Sequence, residues 1–247
     1  MSDFQNKSCS IRSLPFETNI VKKKCANLVI NEDSFQSDDL RSACQYLNNQ
    51  CFDHVVAKVS SHRYDIFNEL EKQSFLLKMC SHKLSTTKTP AHCVEISEKI
   101  KHYQQLYHDK LIHLTNDSFS EHTRFHYDTF FLKHTNTIYS QWIKNIIKSP
   151  DFTVMVYLMN NSPAGFIGAE VDENQKKCHI SLFAVDEKNR GVGIGAALIK
   201  HLFASFEKQV NSFSVVTEAI NYPALHLYIK LGFKINHSIY AFHRELN

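Results

Sequence analysis

Charge is scarce in this sequence: Asp, Glu, Lys and Arg make up 21% of 247 residues, too little for a disordered chain. Basic residues are not massed either. The formal charge is only +3, and the one basic run, Lys22-Lys23-Lys24, reads as a solvated loop or strand end, so nucleic acid is not an expected partner. No stretch approaches the roughly 20 apolar residues that cross a bilayer. The opening Met1-Ser2-Asp3-Phe4-Gln5-Asn6 lacks a charged-then-apolar pattern, so no membrane insertion and a cytoplasmic location are expected. The seven cysteines are odd in number and include no Cys-x-x-Cys pair, which fits a reducing compartment without disulfides. No metal is expected: Cys80-x-His82 and His92-Cys93 have ligand types, but their spacing matches no zinc pattern.

What is present suits a packed enzyme-like fold. The chain is 43% hydrophobic, with 18 Phe and 10 Tyr, and is long enough for one large α/β domain or for a full domain plus a smaller one. Periodicity predicts helices at 40–50 and 64–73, with a strand at 53–59 between them and Phe75-Leu76-Leu77 returning extended. The polar stretch from Ser85 to Pro90 reads as a linker, because β-branched polar residues ahead of a proline have little to bury and resist helix. The expected domains are therefore 1–90 and 91–247. Beyond the linker, helices are expected at 97–109 and 135–148. A hairpin follows (153–159, turn 160–163, 164–171), then a strand at 179–185, a helix at 196–209, a strand at 214–219, a helix at 223–230 and a final strand at 235–244. A strand-helix-strand unit beginning at Val55 weakly repeats one beginning at Val215, the N-terminal copy needing two extra residues.

Glycine is rare, yet three of the six sit in Arg190-Gly191-Val192-Gly193-Ile194-Gly195, between a predicted strand and a helix. Glycine removes the Cβ that keeps ligands from the backbone and admits positive φ, so amide N–H groups can converge on an anion at the helix start. A Walker loop would need Gly-Lys-Ser/Thr, but Ala196-Ala197 follows Gly195. A dinucleotide fingerprint would place its third glycine at Ala196 and would open a βαβ unit, whereas this loop follows three strands that read as an antiparallel meander.

Arg190-x-x-Gly193-x-Gly195 with its Ala/Leu-rich helix resembles the acetyl-CoA motif Gln/Arg-x-x-Gly-x-Gly/Ala of the GNAT acetyltransferase superfamily. Asn221-Tyr222-Pro223-Ala224, continuing to Tyr228 and Gly232-Phe233, resembles that superfamily's Asn-x-x-Ala-x-x-x-Tyr-x-x-x-Gly-Phe. The resemblance implies a mixed, mostly antiparallel splayed sheet flanked by helices, preceded by a smaller, partial domain of similar kind that lacks the cofactor loop. It implies acetyl-CoA as cofactor. Backbone amides of Val192, Gly193, Ile194, Gly195 and Ala196, with Arg190 and Gly191, would hold the pyrophosphate. Phe183, Ala184 and Val185 would align the pantetheine arm, Asn221 would meet its amides or cap the helix, and Tyr228 would be the general acid. Glu170, His179 and Glu218 lie on strands near the expected cleft as candidate bases, with Glu170 preferred. Cys178 reads as a buried small hydrophobe rather than an acyl-enzyme nucleophile, since no base is paired with it.

A narrower resemblance lies in Phe119 to Asp128 and Tyr139-Ser140-Gln141-Trp142-Ile143. It is to the dTDP-4-amino-4,6-dideoxygalactose N-acetyltransferases, and it implies a small-molecule amine acceptor, namely a nucleotide-linked amino sugar. Arg124, His126 and Asp128 would be its contacts, with Phe125 and Trp142 packing against the sheet. An amino acid, polyamine or peptide N-terminus is the alternative acceptor, and a non-catalytic acyl-CoA-binding module the alternative class. The N-terminal copy carries Ser61 where the C-terminal one has Asn221 and should not bind CoA; it would buttress the sheet or form a homodimer contact.

Overall fold

The computed structural model describes residues 4–87, 96–119 and 123–246. The chain folds as two compact units. The first comprises Met1–Ser81, Thr123–His134 and His237–Asn247; the second comprises His82–His122 and Thr135–Asn236. This differs from a single boundary at residue 90, because two later segments fold with the N-terminal part.

The second unit carries five strands: β6 (Ile100–His102), β7 (Phe152–Met159), β8 (Ser162–Asp172), β9 (Lys177–Val185) and β10 (Ser212–Glu218). They lie in the order β10-β9-β8-β7-β6, antiparallel except for the β9–β10 pair. The β7–β8 hairpin turns on Asn160 and Asn161, both at positive φ, which asparagine tolerates better than other side chains. Helices α4 (His108–Ser118) and α6 (Thr135–Lys148) lie against β7, β8 and β9. Helices α7 (Ile194–Phe206) and α8 (Tyr222–Lys230) share a core with the same strands. Its centre is Leu198, Leu202 and Phe203 of α7 against Cys178 and Ile180 of β9, with Phe203 tilted on Phe213 at 4.6 Å.

The first unit has β1 (Phe4–Gln5), β2 (Cys9–Ser13), β3 (Cys25–Ile30) and β4 (His54–Ser60), with β11 (Lys234–Glu245) antiparallel to β4. β3 and β4 are parallel and are joined by α2 (Ser37–Asn49). Helix α1 (Pro15–Val21) follows β2, and α3 (Tyr64–Lys72) leads to β5 (Leu76–Thr86). The unit boundary falls within β5 and within β11. Strand alternation points Ala26, Leu28, Val55, Ala57, Val59 and Phe242 into one core with Leu40 and Leu47 of α2 and Ile66 and Leu70 of α3.

The internal repeat is regular and longer than expected. β4 and β10 are both seven residues long, α3 and α8 both nine, and α2 and α7 both thirteen. Connectors 61–63 and 73–75 match 219–221 and 231–233 in length, so the two extra residues expected in the N-terminal copy are not needed.

Two sequence expectations are corrected. The helix expected at 97–109 is instead the edge strand β6 and a 3-10 turn, with α4 starting only at His108. Ser85 and Thr86, expected in a linker, belong to β5, while 88–90 lie outside the described residues.

The fully buried Phe203 gives the second unit a direct stability test. Phe203→Ala should cost about 3–5 kcal/mol, read as a lower urea midpoint at unchanged slope. A loss below about 1 kcal/mol would mean that α7 is not docked as described.

Candidate active site

The second unit opens a gap in its own sheet. β9 and β10 pair from Lys177/Ser212 to Ile180/Val215, and their pairing ends there, although β9 runs on to Val185 and β10 to Glu218. At the same level β9 skips Ser181 in its pairing with β8, a bulge that bends a strand and increases its twist. The parting of the strands is thus built into β9.

Beyond the bulge, the alternation of antiparallel hydrogen bonds decides which main-chain groups face the gap. Asp186 N–H donates to the Ala164 carbonyl at 3.0 Å. The next opposed pair, Val185 with Gly165, is therefore of the non-bonded kind, as is Phe183 with Ile167. The N–H and C=O of Phe183 and Val185 consequently point away from β8, towards where β10 has departed. Ala184 is turned the other way: its carbonyl lies 3.0 Å from the Cβ position of Gly165 and its side chain is buried. The expectation that Ala184 meets the cofactor arm is corrected on that ground, while Phe183 and Val185 fit it. The Val185 carbonyl currently accepts from Arg190 Nε at 3.2 Å.

At the open end of the gap the chain turns into α7. Gly191 and Gly193 have φ of +82° and +92°, and a Cβ on either would meet nothing within 4 Å. Ala197 N–H bonds back to the Gly193 carbonyl, so the amides of Ile194, Gly195 and Ala196 precede any helical acceptor. Val192 is exposed. Gly195 serves packing instead: a Cβ there would come within 3.0 Å of Leu227 and 3.1 Å of Phe183. The turn therefore presents unpaired donors and the positive end of a helix to open space, which is what a diphosphate needs.

Tyr228 sits on the inner face of α8, 3% exposed, with its ring 6.4 Å from Phe183 and 5.4 Å from Phe233. Burial pushes its phenol above the ordinary value of 10, so the hydroxyl is an acid, not a phenolate, at neutral pH. Asn221 caps α8 by accepting the Ala224 N–H at 3.3 Å, which leaves its NH2 group available to a ligand. His179 Nδ1 lies 3.0 Å from Ser214 Oγ, and burial lowers its pKa. Glu170 stands directly opposite His179 in the β8–β9 register and is half-buried, at the level where β9 and β10 are still paired. Glu218 ends β10 and is half-buried. The Cys178 thiol is driven up to about 12, first by burial and then by Glu170, which removes it as a ready nucleophile.

The expected acceptor contacts fall in the first unit. Asp128 is completely buried and its Oδ2 is bound by His54 Nε2 at 2.9 Å and by His243 Nδ1. It is not available to a solute, and the expectation that it binds substrate is corrected. Arg124 lies 3.9 Å from Glu17 and 4.5 Å from the Phe125 ring; His126 is half-buried beside Tyr127. Phe125 is buried against Phe131 and Trp142 stacks on Tyr139, as packing residues.

In the first unit the equivalent turn is built differently. Glu32 lies between β3 and α2, its Oε1 accepts the Ser60 N–H at 2.7 Å, and its carbonyl accepts from the Arg63 guanidinium. The Ser60 amide at the end of β4 is thus already satisfied by protein, and no glycine frees the α2 start.

A sheet parted beside a glycine turn, with main-chain donors facing the gap, is an arrangement suited to an extended, diphosphate-bearing ligand. The particular family follows from comparison: the profile of the acetyltransferase (GNAT) family matches residues 109–233, and the chain belongs to that family. Acetyl-CoA is the cofactor of its acetyltransferases. An N-alpha-acetyltransferase of Sulfurisphaera tokodaii is 32% identical over 108 residues, which span 42% of this chain and 63% of that protein, less than two thirds of its length. Among solved structures, a functionally unknown conserved protein of Staphylococcus epidermidis superposes with a TM-score of 0.69 at 14% identity, over 100% of this chain and 94% of that one. A GCN5-related N-acetyltransferase of Sphaerobacter thermophilus gives 0.67 at 14% identity, over 96% and 76%. A tandem GNAT protein of the clavulanic acid biosynthesis pathway gives 0.61 at 11%, over 96% and 79%. At these identities the likeness is one of fold.

Acetyl-CoA titrated calorimetrically should bind one site per chain, and Gly193→Val, which puts a side chain into the cradle, should weaken it at least about tenfold. The circular dichroism of the variant should be unchanged. Two sites per chain would contradict the satisfied Ser60 amide of the first unit.

Proposed function

We propose that the protein is an acetyl-CoA-dependent N-acetyltransferase that moves the acetyl group to a primary amine by direct attack in a ternary complex. The observation that carries this reading is the outward-facing main chain of Phe183 and Val185 ending in the open glycine turn. The amides of Val192 to Ala196 would hold the diphosphate, with Gly191 and Arg190 shaping the turn. The gap-facing groups of Phe183 and Val185 would bind the pantetheine arm as a strand would, and the Asn221 NH2 would add a donor.

A thioester is already activated, so positioning does much of the work; well-oriented reactants can recover about 7–11 kcal/mol of barrier. The neutral amine nitrogen attacks the thioester carbonyl, forming the C–N bond, and collapse of the tetrahedral intermediate breaks the C–S bond. The departing thiolate takes the Tyr228 proton. Glu170 takes the proton lost by the amine, directly or through water, and solvent restores both groups. Dry surroundings raise the basicity of the thiolate as they raise the pKa of Tyr228, so the proton transfer stays matched.

Two acceptor classes have separate support. The resemblance of Phe119 to Asp128 and Tyr139 to Ile143 to amino-sugar enzymes favours a nucleotide-linked amino sugar. The Sulfurisphaera relative, an N-alpha-acetyltransferase, favours an α-amino group, of which a peptide N-terminus is one kind. Released thiol, measured with acetyl-CoA against a panel of nucleotide-linked amino sugars, amino acids, polyamines and peptides, separates them. Acetylation of peptides with no turnover of any amino sugar would overturn the sugar reading.

Tyr228→Phe should lower kcat about 10²-fold while CoA binding is kept, about 2.7 kcal/mol of transition-state stabilisation. Because burial raises the tyrosine pKa, its acid form persists on the alkaline side, and kcat/KM should show no tyrosine limb up to about pH 10. Unchanged turnover in Tyr228→Phe would remove the acid and favour a binding module.

A further inference from the structure

The first unit contains a polar cluster that acetyl transfer does not use. His54 opens β4 and His243 lies on β11; the register pairs His54 with Glu245 and Val56 with His243. Residues two apart share a face, so both imidazoles project from the same side of the sheet, opposite the face that packs on α2 and α3. Asp128 follows the short helix α5 (Arg124–Tyr127), which Thr123 caps by accepting the His126 N–H. Its Oδ1 accepts the Phe130 N–H at 3.1 Å, and this fixes the carboxylate so that Oδ2 meets both rings.

Three properties distinguish this cluster from an ordinary buried hydrogen bond. His54, Asp128 and His243 each offer one ligand atom within 4.8 Å of the others, and the residues are at most 2% exposed. Among the described residues, Asp128 makes its ion pairs with the two imidazoles. The remaining ring nitrogens, His54 Nδ1 and His243 Nε2, are buried without a hydrogen-bond partner, so the orientation of the rings is set by what gathers at Asp128. Around them the shell is apolar: His54 stacks on Phe130 at 4.4 Å and meets the edge of Phe131 at 4.7 Å. Burying an uncompensated charge is costly, and a cation gathered by two imidazoles and a carboxylate would offset it.

We propose that His54 Nε2, Asp128 Oδ2 and His243 Nδ1 bind a divalent transition-metal ion, zinc above others, which clamps the segment 123–134 to β4 and β11. Two imidazoles and a carboxylate are ligand types that zinc takes, whereas magnesium and calcium prefer an all-oxygen shell. Complete burial gives the ion a structural role: it joins three segments far apart in the chain, with Asp128 74 residues from His54 and 115 from His243. The unit therefore gains its middle segment, 123–134, through metal bonds as well as through packing of Phe125 and Phe131. The proposal is independent of the acetyl-transfer reading, since none of its residues lies in the second unit.

The full-length protein, stripped with a chelator and exchanged into metal-free buffer, is titrated with zinc chloride, passed through gel filtration and analysed for metal. One zinc retained per chain, with a higher thermal midpoint than the stripped protein, is the expected result. Cobalt added in place of zinc should give visible d–d absorption without a thiolate charge-transfer band. His54→Gln and Asp128→Asn should each weaken retention at least about 100-fold, and Cys80→Ser should leave it unchanged. The proposal is overturned if the wild-type chain retains no zinc and its midpoint does not move, if a thiolate band appears, or if folded His54→Gln still holds one ion. If the ligand variants fail to fold, the wild-type metal content and cobalt spectrum decide alone.

Discussion

Everything proposed for the second unit depends on one interruption: β9 and β10 stop pairing at Ile180 and Val215 while both strands continue. A parallel pair that ends early leaves main-chain donors and acceptors without partners, and such groups cost free energy unless water or a ligand satisfies them. The Ser181 bulge fixes where the parting begins, and the glycine turn into α7 fixes where it ends. Between these points the protein offers an extended ligand what a neighbouring strand would offer. The core of Leu198, Leu202 and Phe203 under α7 holds the helix start at the end of the gap, so packing energy keeps the polar site preorganised.

The two units show how one plan of alternating strands and helices reaches different ends. Equal element lengths preserve the geometry, while the turn before the second element decides what the gap accepts. At 190–195 three glycines clear the space. In the first unit Glu32 occupies the corresponding position in the plan, satisfies the Ser60 amide and ties in Arg63. That unit uses its sheet for something else: one face carries α2 and α3, and the other carries the imidazoles that hold Asp128.

Local signals were legible in the sequence and distant ones were not. The glycine turn, the Asn160-Asn161 hairpin and the helix at 135–148 are encoded within a few residues, by φ requirements or by periodicity, and the structure places them as expected. The stretch 97–109 misled because Ile100, Tyr103 and Tyr107 have helical spacing, yet Ile100 to His102 gain more by pairing with β7 at the sheet edge. The N-terminal strands carry a weaker local signal: β2, Cys-Ser-Ile-Arg-Ser, has Ile11 as its single large apolar residue, and the apolar run of β3 is only Leu28-Val29-Ile30. The sequence groups Asp128 with Arg124 and His126 as acceptor contacts, because nothing nearby announces His54 or His243. Glu32, likewise, acts on an amide 28 residues away, a distance that no local pattern encodes.

The most direct test of the main-chain grip is residue-resolved. In an isotope-labelled sample, backbone amide resonances are followed as acetyl-CoA is added. The account predicts the largest changes at Val192 to Ala196 and at Phe183 and Val185, with the amides of Glu32 and Ser60 unmoved. Saturable binding that leaves 192–196 undisturbed, or that shifts the first unit instead, would contradict it.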